Sequence, residues 1–530
     1  MEKAISLSQI GLYNPQRQSA EVTEKLFVAR QKQFNSLLED ILEEKEDSIP
    51  QHHLIIGQRG MGKTTLLKRL EVELHREQYR CRFIPLLFPE EQYNVPNLTV
   101  FWQNCLDALA DALEIENYAT EMVDRIDRMM AQKKEQNAEN LYKYLMASCR
   151  LLHRRPVLLV DNIGLVFNRL NKHEQHTLRA LLSENGAPVI IGAGVYFTED
   201  VLHYDAPFYD FFQAHYLKKL SFEEFTELLE NLAERTQTGT DITSLMRKET
   251  PRLKTLYQFT GGNPRTAVML FKLLVKGFSA DINDDLDALV DEVTPLYKAK
   301  FEELPQQQQI IIDAIAMNWD AIPLKELSTA THLENNQLSP QLKRLTDEGW
   351  IETTSAYKAK GNAYFISERF FNIWFLMRRS NRRQKRGIHS LSEFLECLYG
   401  EERMIQNENL HKALFDLHKQ NQGLAKEHLL QAFEVLEKEN KIASVANEYW
   451  WERFGYTVIK SGYASWFLAI LEEKGYNIVL SPYYTALQAL EIEKQDSKNG
   501  QKDAEIYLKN RAIEISEPAR IIIERIRKYA

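Results

Sequence analysis

The octapeptide Gly57-Gln58-Arg59-Gly60-Met61-Gly62-Lys63-Thr64 reads Gly, four free positions, Gly, Lys, Thr. That spacing is the chemistry of a loop that wraps a phosphate chain. Gly57, Gly60 and Gly62 let the backbone bend and approach phosphates closely. Lys63 would reach the β- and γ-phosphates, and Thr64 would ligate Mg²⁺. Met61 and Thr65 complete the cradle. An ordinary glycine-rich strand-to-helix turn is the bland alternative, but a Lys-Thr pair has no packing purpose at the positive end of a helix. A second chemical feature is Val157-Leu158-Leu159-Val160-Asp161. Here an apolar strand would deliver a carboxylate to the sheet edge where ligands sit, placing Asp161 to hold Mg²⁺ beside the loop.

The residue after Asp161 is Asn162, an amide that cannot take a proton from an attacking water. Slow hydrolysis is one outcome. The other is a borrowed carboxylate, for which Glu90 and Glu91 are the candidates, since they follow the second predicted strand. A solvated acidic turn after Pro89 explains the same pair equally well. Gly261-Gly262-Asn263-Pro264-Arg265 breaks one helix and opens another. Pro264 starts that helix, and Arg265 could return a guanidinium to the γ-phosphate. A surface arginine at a turn is the plainer reading.

The elements that must position these groups follow from apolar patterning. His53-Leu54-Ile55-Ile56 is a strand and Thr65 to Glu73 a helix. Further strands are expected at Arg82 to Phe88, Pro156 to Val160, Pro188 to Ile191 and His215 to Leu220, with helices between them. Strands alternating with helices predict an α/β fold with a parallel sheet. Ser221 and Glu224 have the spacing of a capping box that begins a helical region. Leu304 to Met317, Pro323 to Thr329 and Asn335 to Glu348 predict three helices, then two strands joined by the basic turn Tyr357 to Gly361. That order predicts a winged helix, with Ser339, Gln341, Lys343 and Arg344 near the exposed face of its third helix and Lys358 and Lys360 on the wing. Arg378 to Arg386 carries six basic residues in nine, and Arg382, Arg383 and Arg386 are the candidates for DNA phosphates. Asp347 and Glu348 argue the other way, and such domains also serve protein contacts.

From Gly387 the chain is expected to be almost wholly helical, with a polar loop at Gln495 to Asp503. Trp450, Trp451, Phe454 and Tyr456 read as core. The expected domains are an ATPase α/β core at 1–220, a helical lid at 221–300, a winged-helix domain at 301–386 and a helical, repeat-like domain at 387–530. The last suits a protein partner.

Composition agrees with a soluble multidomain chain: 530 residues, 44% hydrophobic, 27% charged and a net charge of −9, which excludes a wholly basic nucleic-acid coat. Four scattered cysteines lack metal-ligand or disulfide spacing and point to a reducing cytoplasm. The N-terminal residues lack the apolar stretch of a signal peptide, and no apolar run reaches the ~18 residues of a membrane span.

Taken in chain order, Phe27-Val28-Ala29-Arg30, the phosphate loop, Leu158-Leu159-Val160-Asp161-Asn162 and Gly261 to Arg265 resemble the AAA+-related STAND ATPases. The likeness is nearest to the prokaryotic branch that also resembles archaeal replication-initiator ATPases. It covers roughly Glu21 to Leu274 and the domain that follows. It implies that Phe27 and Val28 line an adenine pocket and that Arg265 is a second sensor. Recombinase-type ATPases draw a catalytic glutamate from a place similar to Glu90 and Glu91. The chain departs from the AAA+ pattern at Asn162 and at Gly192-Ala193-Gly194, where a polar first sensor is usual, and it offers no convincing arginine finger. The expected function is an ATP-binding, slowly hydrolysing switch that couples ATP state to a protein or DNA partner, with oligomerisation possible. The rivals are an ATP-dependent DNA-remodelling or loading ATPase and a scaffold stabilised by nucleotide.

Overall fold

A computed structural model describes residues 18–45, 47–88, 95–131, 137–195, 206–236, 241–400, 408–439, 441–443, 449–495 and 499–529. It divides into two units. One holds Met1–Gln237, Asn263–Val268 and Asp347–Gly349, and the other holds Thr238–Gly262, Met269–Thr346 and Trp350–Ala530.

The first unit is an α/β layer structure. Its five strands are β1 (His52–Ile56), β2 (Phe83–Leu87), β3 (Arg155–Val160), β4 (Val189–Gly194) and β5 (Phe212–Tyr216). They form one sheet in the order β2-β3-β4-β1-β5, and every pairing is parallel. β1, β3 and β4 are buried along their whole length. That is why they read as continuous apolar runs rather than alternating ones. One face packs under Leu98–Ile115, Ala138–Leu151, Ile163–Arg169 and Lys172–Leu182, where Phe101, Trp102, Leu109 and Leu145 fill the core. The other face lies against Gln31–Glu43 and Lys63–Leu74, through Phe34, Leu37, Ile41, Leu66 and Leu70.

β5 differs from expectation: it begins at Phe212 and ends at Tyr216. It is the edge strand beside β1, and most of its side chains are exposed or half-exposed. Without a fully buried face it has no apolar alternation to mark its start. The predicted capping box is present. Ser221 N donates to Glu224 Oε2 (2.9 Å) and Glu224 N to Ser221 Oγ (3.2 Å).

In the second unit, Gln306–Met317, Leu324–Thr331 and Asn335–Asp347 are helices. Three antiparallel strands accompany them: β6 (Ile322–Pro323), β7 (Ile351–Ser355) and β8 (Asn362–Ile366), in the order β6-β8-β7. The two-residue β6 has too few residues to show a pattern in the sequence. The β7–β8 turn closes with Ala356 N donating to Gly361 O (3.0 Å). Among the described residues that follow, the regular elements are all helices, the last being Ile513–Arg527. Trp450, Trp451 and Phe454 are buried, with Trp450 stacked on Phe454 at 4.5 Å, while Tyr456 is half-buried. The polar segment Gln495 to Asp503 is not a loop throughout. Gly500–Asn510 is a helix with Ala504, Tyr507 and Leu508 buried, so an apolar stripe downstream outweighs the polar start.

Buried polar contacts bind the parts of this unit together. Glu514, fully buried, receives Arg369 Nη2 (2.7 Å), Arg369 Nε (3.3 Å) and Trp319 Nε1 (2.6 Å). Arg369 Nη1 also donates to Asn372 Oδ1 (2.6 Å), and Asn372 Nδ2 to Ala316 O (2.7 Å). Nearby, Arg511 Nη1 and the Ala512 N–H each reach Asp320 at 2.7 Å. The C-terminal helices are thereby joined to the strand-bearing segment by a network whose members are nearly all satisfied.

Among the described residues, no helix is long and apolar enough to cross a membrane. All four cysteines are free thiols.

Candidate nucleotide site

β1 ends at Ile56 and the helix Lys63–Leu74 begins seven residues later, so the phosphate loop sits at the C-terminal edge of the sheet. Two left-handed glycines shape it: Gly60 at φ 81° and Gly62 at φ 88°, the latter capping the helix. At Gly60 space adds to the conformational demand. A Cβ there would lie 2.7 Å from Asn263 Oδ1, well inside contact distance.

Lys63 is buried, and its Nζ donates to Gly57 O (2.6 Å) and Gln58 O (2.9 Å). Burial pushes the ammonium down to about 8. Asp161 opposes that shift, while Arg265 and Arg59 add to it. Thr64 Oγ1 donates to Asp161 Oδ2 at 2.5 Å, and Asp161 Oδ1 accepts the Asn162 N–H at 2.9 Å. Burial raises the Asp161 carboxyl, and the Thr64 hydrogen bond, Lys63 and the Asn162 N–H pull it back. The loop and the β3 aspartate are thus brought together as two hard oxygens beside one ammonium.

Asn162 stands in the left-handed region at φ 49° and caps the helix Ile163–Arg169. Asn is among the few residues that tolerate that conformation, so backbone geometry gives a reason for an amide where a carboxylate was the alternative. Gly192 has a comparable cause. A Cβ there would meet Ile163 Cδ1 at 2.7 Å, leaving no room for a polar side chain at that position of β4. Glu90 and Glu91 lie outside the described residues.

The turn at Gly261 closes on the loop through a residue that sequence reasoning passed over. Asn263 Nδ2 donates to Arg59 O (2.9 Å), and Asn263 Oδ1 accepts the Arg265 N–H (2.9 Å). One amide therefore holds the phosphate loop and caps the helix Pro264–Lys276 at once. The cap was legible, since Asn before Pro is a helix-start signal. The long-range bond was not. Arg265 lies near enough to Lys63 to depress it, and its Nη1 is buried without a hydrogen-bond partner among the described residues.

A second missed anchor is Arg30, buried and left-handed at φ 71°. Its Nη2 donates to Lys218 O (2.5 Å) and its Nε to Met61 O (3.4 Å). The turn between the helices Ala20–Leu26 and Gln31–Glu43 is thereby tied both to the loop and to the segment after β5. Phe27 is buried against Phe34, with ring centroids 5.5 Å apart, and it shares a core with Met61 and Leu217. Val28 is half-buried.

The candidate DNA residues sit elsewhere. Lys343, Arg344, Lys358, Lys360, Arg382, Arg383 and Arg386 are exposed. Gln341 is not on that open face: it is half-buried and accepts from Gln308 Nε2 (3.1 Å). The basic run is split, because one helix ends at Arg379 and Asn381 caps the next, Arg382–Tyr399. Arg378 pairs with Asp291, and Arg379 with Asp313 at 3.0 Å. Beside the β7–β8 turn, Tyr357 N donates to Asn510 Oδ1 (3.3 Å), and the Tyr357 ring lies 5.1 Å from that of Tyr507.

A five-stranded parallel sheet carrying this loop and Asp161 is a P-loop nucleotide-binding fold. Residues 26–191 match the AAA ATPase domain family, and the chain carries an AAA-type P-loop ATPase domain. Among solved structures, the Aeropyrum pernix ORC2 protein is 14% identical, covering 67% of this chain and 95% of its own at a TM-score of 0.43. The Aeropyrum pernix ORC1 protein in complex with DNA is 12% identical, covering 68% and 94%, TM-score 0.41. A STAND protein with a tetratricopeptide repeat sensor from Pyrococcus horikoshii is 14% identical, covering 94% and 65%, TM-score 0.28. Likenesses of this size say nothing of activity or partner. No curated protein matches the chain.

Proposed function

We propose that the chain is a nucleotide-controlled switch that binds ATP with Mg²⁺, hydrolyses it slowly and passes its nucleotide state to a partner. The observation that carries this reading is the closure of Asn263, Pro264 and Arg265 on the phosphate loop. Arg265 brings a buried, unspent donor beside Lys63, which is the arrangement a phosphate oxygen would satisfy. The helix it opens, Pro264–Lys276, contributes residues to both units. We take that helix as the route by which a change at Arg265 would reach the second unit.

In this reading the backbone N–H groups of Gly60 to Thr65 and Lys63 hold the phosphates, and Phe27 and Val28 flank the base. Thr64 and Asp161 are the hard oxygens that would hold Mg²⁺, and the hydrogen bond that joins them at 2.5 Å would give way to the ion. When bound, that ion neutralises phosphate charge. The core at 1–220, the lid at 221–300, the winged-helix domain at 301–386 and the helical domain at 387–530 are the working parts. The order helix, short strand, two helices and a hairpin supports the winged-helix reading, and the helical region suits a protein partner.

Asn162 leaves the attacking water without an adjacent base, so turnover should fall well below the ~10 s⁻¹ typical of enzymes. The remainder should depend on Glu90 or Glu91. Steady-state phosphate release from Glu90→Gln, Glu91→Gln and the double variant tests this, and an unchanged rate in the double variant rejects the borrowed carboxylate.

A second reading, action on DNA, is favoured by one observation. Arg382 and Arg383 stand exposed in the first turn of the helix Arg382–Tyr399, where the helix dipole opposes cations. A polyanion would compensate that placement.

A further inference from the structure

His52 and His53 are adjacent on β1 and face opposite sides of the sheet. His52 is fully engaged with backbone: its Nδ1 accepts the Ile190 N–H (3.2 Å), and its Nε2 meets Leu182 O (3.2 Å). His53 is completely buried, and nothing in the nucleotide site uses it. Its Nδ1 lies 3.1 Å from Nε2 of His215 on β5 and 3.8 Å from Oδ2 of Asp40 on the helix Gln31–Glu43. Candidate ligand atoms of all three residues fall within 4.8 Å of one another.

We propose that Asp40 Oδ2, His53 Nδ1 and His215 Nε2 form a site for a borderline divalent transition metal, with Zn²⁺ the ion this donor set fits. The site would staple the helix Gln31–Glu43 to the β1–β5 edge of the sheet.

A hydrogen bond between the two imidazoles accounts for the 3.1 Å contact alone. It leaves Asp40 Oδ2 buried with no hydrogen-bond partner, which is costly for a carboxylate oxygen. A divalent cation engages all three atoms and offsets that charge. The geometry is close to what such an ion needs. Bonds of about 2.0–2.2 Å set neighbouring ligand atoms of a tetrahedron about 3.3–3.6 Å apart; the His53–His215 and His53–Asp40 separations, 3.1 and 3.8 Å, bracket that range, and the Asp40–His215 pair lies within 4.8 Å. Two imidazoles and one carboxylate select zinc-like ions over Mg²⁺, which prefers all-oxygen sites and keeps its waters. His215 and Asp40 are only partly buried, so the fourth position is within reach of water. The site is separate from Thr64 and Asp161 and uses none of the phosphate-binding residues.

The test uses the full chain, stripped with a chelator and free of nucleotide. It is titrated calorimetrically with Zn²⁺ and, separately, with Mg²⁺, and Co²⁺ is followed by visible absorption. One equivalent of Zn²⁺ is expected, with no Mg²⁺ uptake at the same concentration and a Co²⁺ band in the visible. His215→Ala and Asp40→Ala should each weaken Zn²⁺ by at least the ~10–100-fold that a lost outer-shell partner costs and should abolish the Co²⁺ band. His215→Gln is the conservative control should either alanine variant lose its circular dichroism. Absence of Zn²⁺ binding to the wild type, or Zn²⁺ binding of wild-type strength in folded variants, would overturn the proposal.

Discussion

The phosphate loop and the Arg369–Glu514 network are both built from buried polar groups, yet they are finished differently. Around Glu514 the charges meet one another: Arg369, Trp319 and Asn372 use their donors on protein acceptors. Around the loop, Lys63 is turned onto two backbone carbonyls and depressed by burial, and Arg265 keeps a buried donor unpaired. The first arrangement joins elements, and the second retains binding capacity. A satisfied buried network specifies structure, whereas a perturbed and incompletely paired one marks a functional site.

That contrast can be broken most forcefully at Glu514. Replacing it with Ala leaves Arg369 buried without its counter-ion, which costs about 3–5 kcal/mol. The unfolding transition of the second unit should move to lower denaturant, while ATP affinity stays within about twofold of wild type. Equal loss of both would make the two networks one.

The reverse experiment is Lys63→Ala. A lost charge-assisted hydrogen bond is worth about 1.5–3 kcal/mol, so calorimetry should show ATP·Mg²⁺ affinity reduced by about 10–150-fold, with the second-unit transition unmoved. Unchanged affinity would remove Lys63 from the phosphate site.

The difference between the regions also decides what was legible in the sequence. The loop, the β3 aspartate and the Ser221–Glu224 box are local patterns, and each is set by the backbone conformation of a few residues. Central strands such as β3 show themselves because both faces are buried. β5 hides its start because an edge strand needs no apolar alternation. Asn263 was visible as a helix cap but not as a clasp on Arg59, 204 positions away in the chain. Arg30 was visible only as the end of Phe27-Val28-Ala29-Arg30, and Asp40 and His53 gave no spacing signal, because the fold alone assembles their neighbours. The buried pair Arg369–Glu514 spans 145 positions and was invisible for the same reason. At Gly500–Asn510, polar composition masked a helix whose buried stripe begins at Ala504.

The smallest effect expected concerns the exposed cations. If the second unit touches DNA, it does so mainly through phosphates, so replacing Arg382, Arg383 and Arg386 together should reduce the salt slope by about 2.7, at ~0.9 per phosphate contact. Fluorescence anisotropy on a mixed-sequence duplex at several salt concentrations measures it. No binding by the wild type at low salt with ATP present would confine that region to protein contacts.

In the proposed switch, Arg265 reports which nucleotide is bound. The most direct test of that role is hydrogen exchange over residues 250–276 in wild type and Arg265→Ala, each saturated with a non-hydrolysable ATP analogue or with ADP. Stronger protection with the ATP analogue is expected in the wild type. In the variant that difference should disappear, while ATP affinity drops by no more than the ~10–150-fold of one charge-assisted contact. A variant that distinguishes the two nucleotides as the wild type does would contradict it.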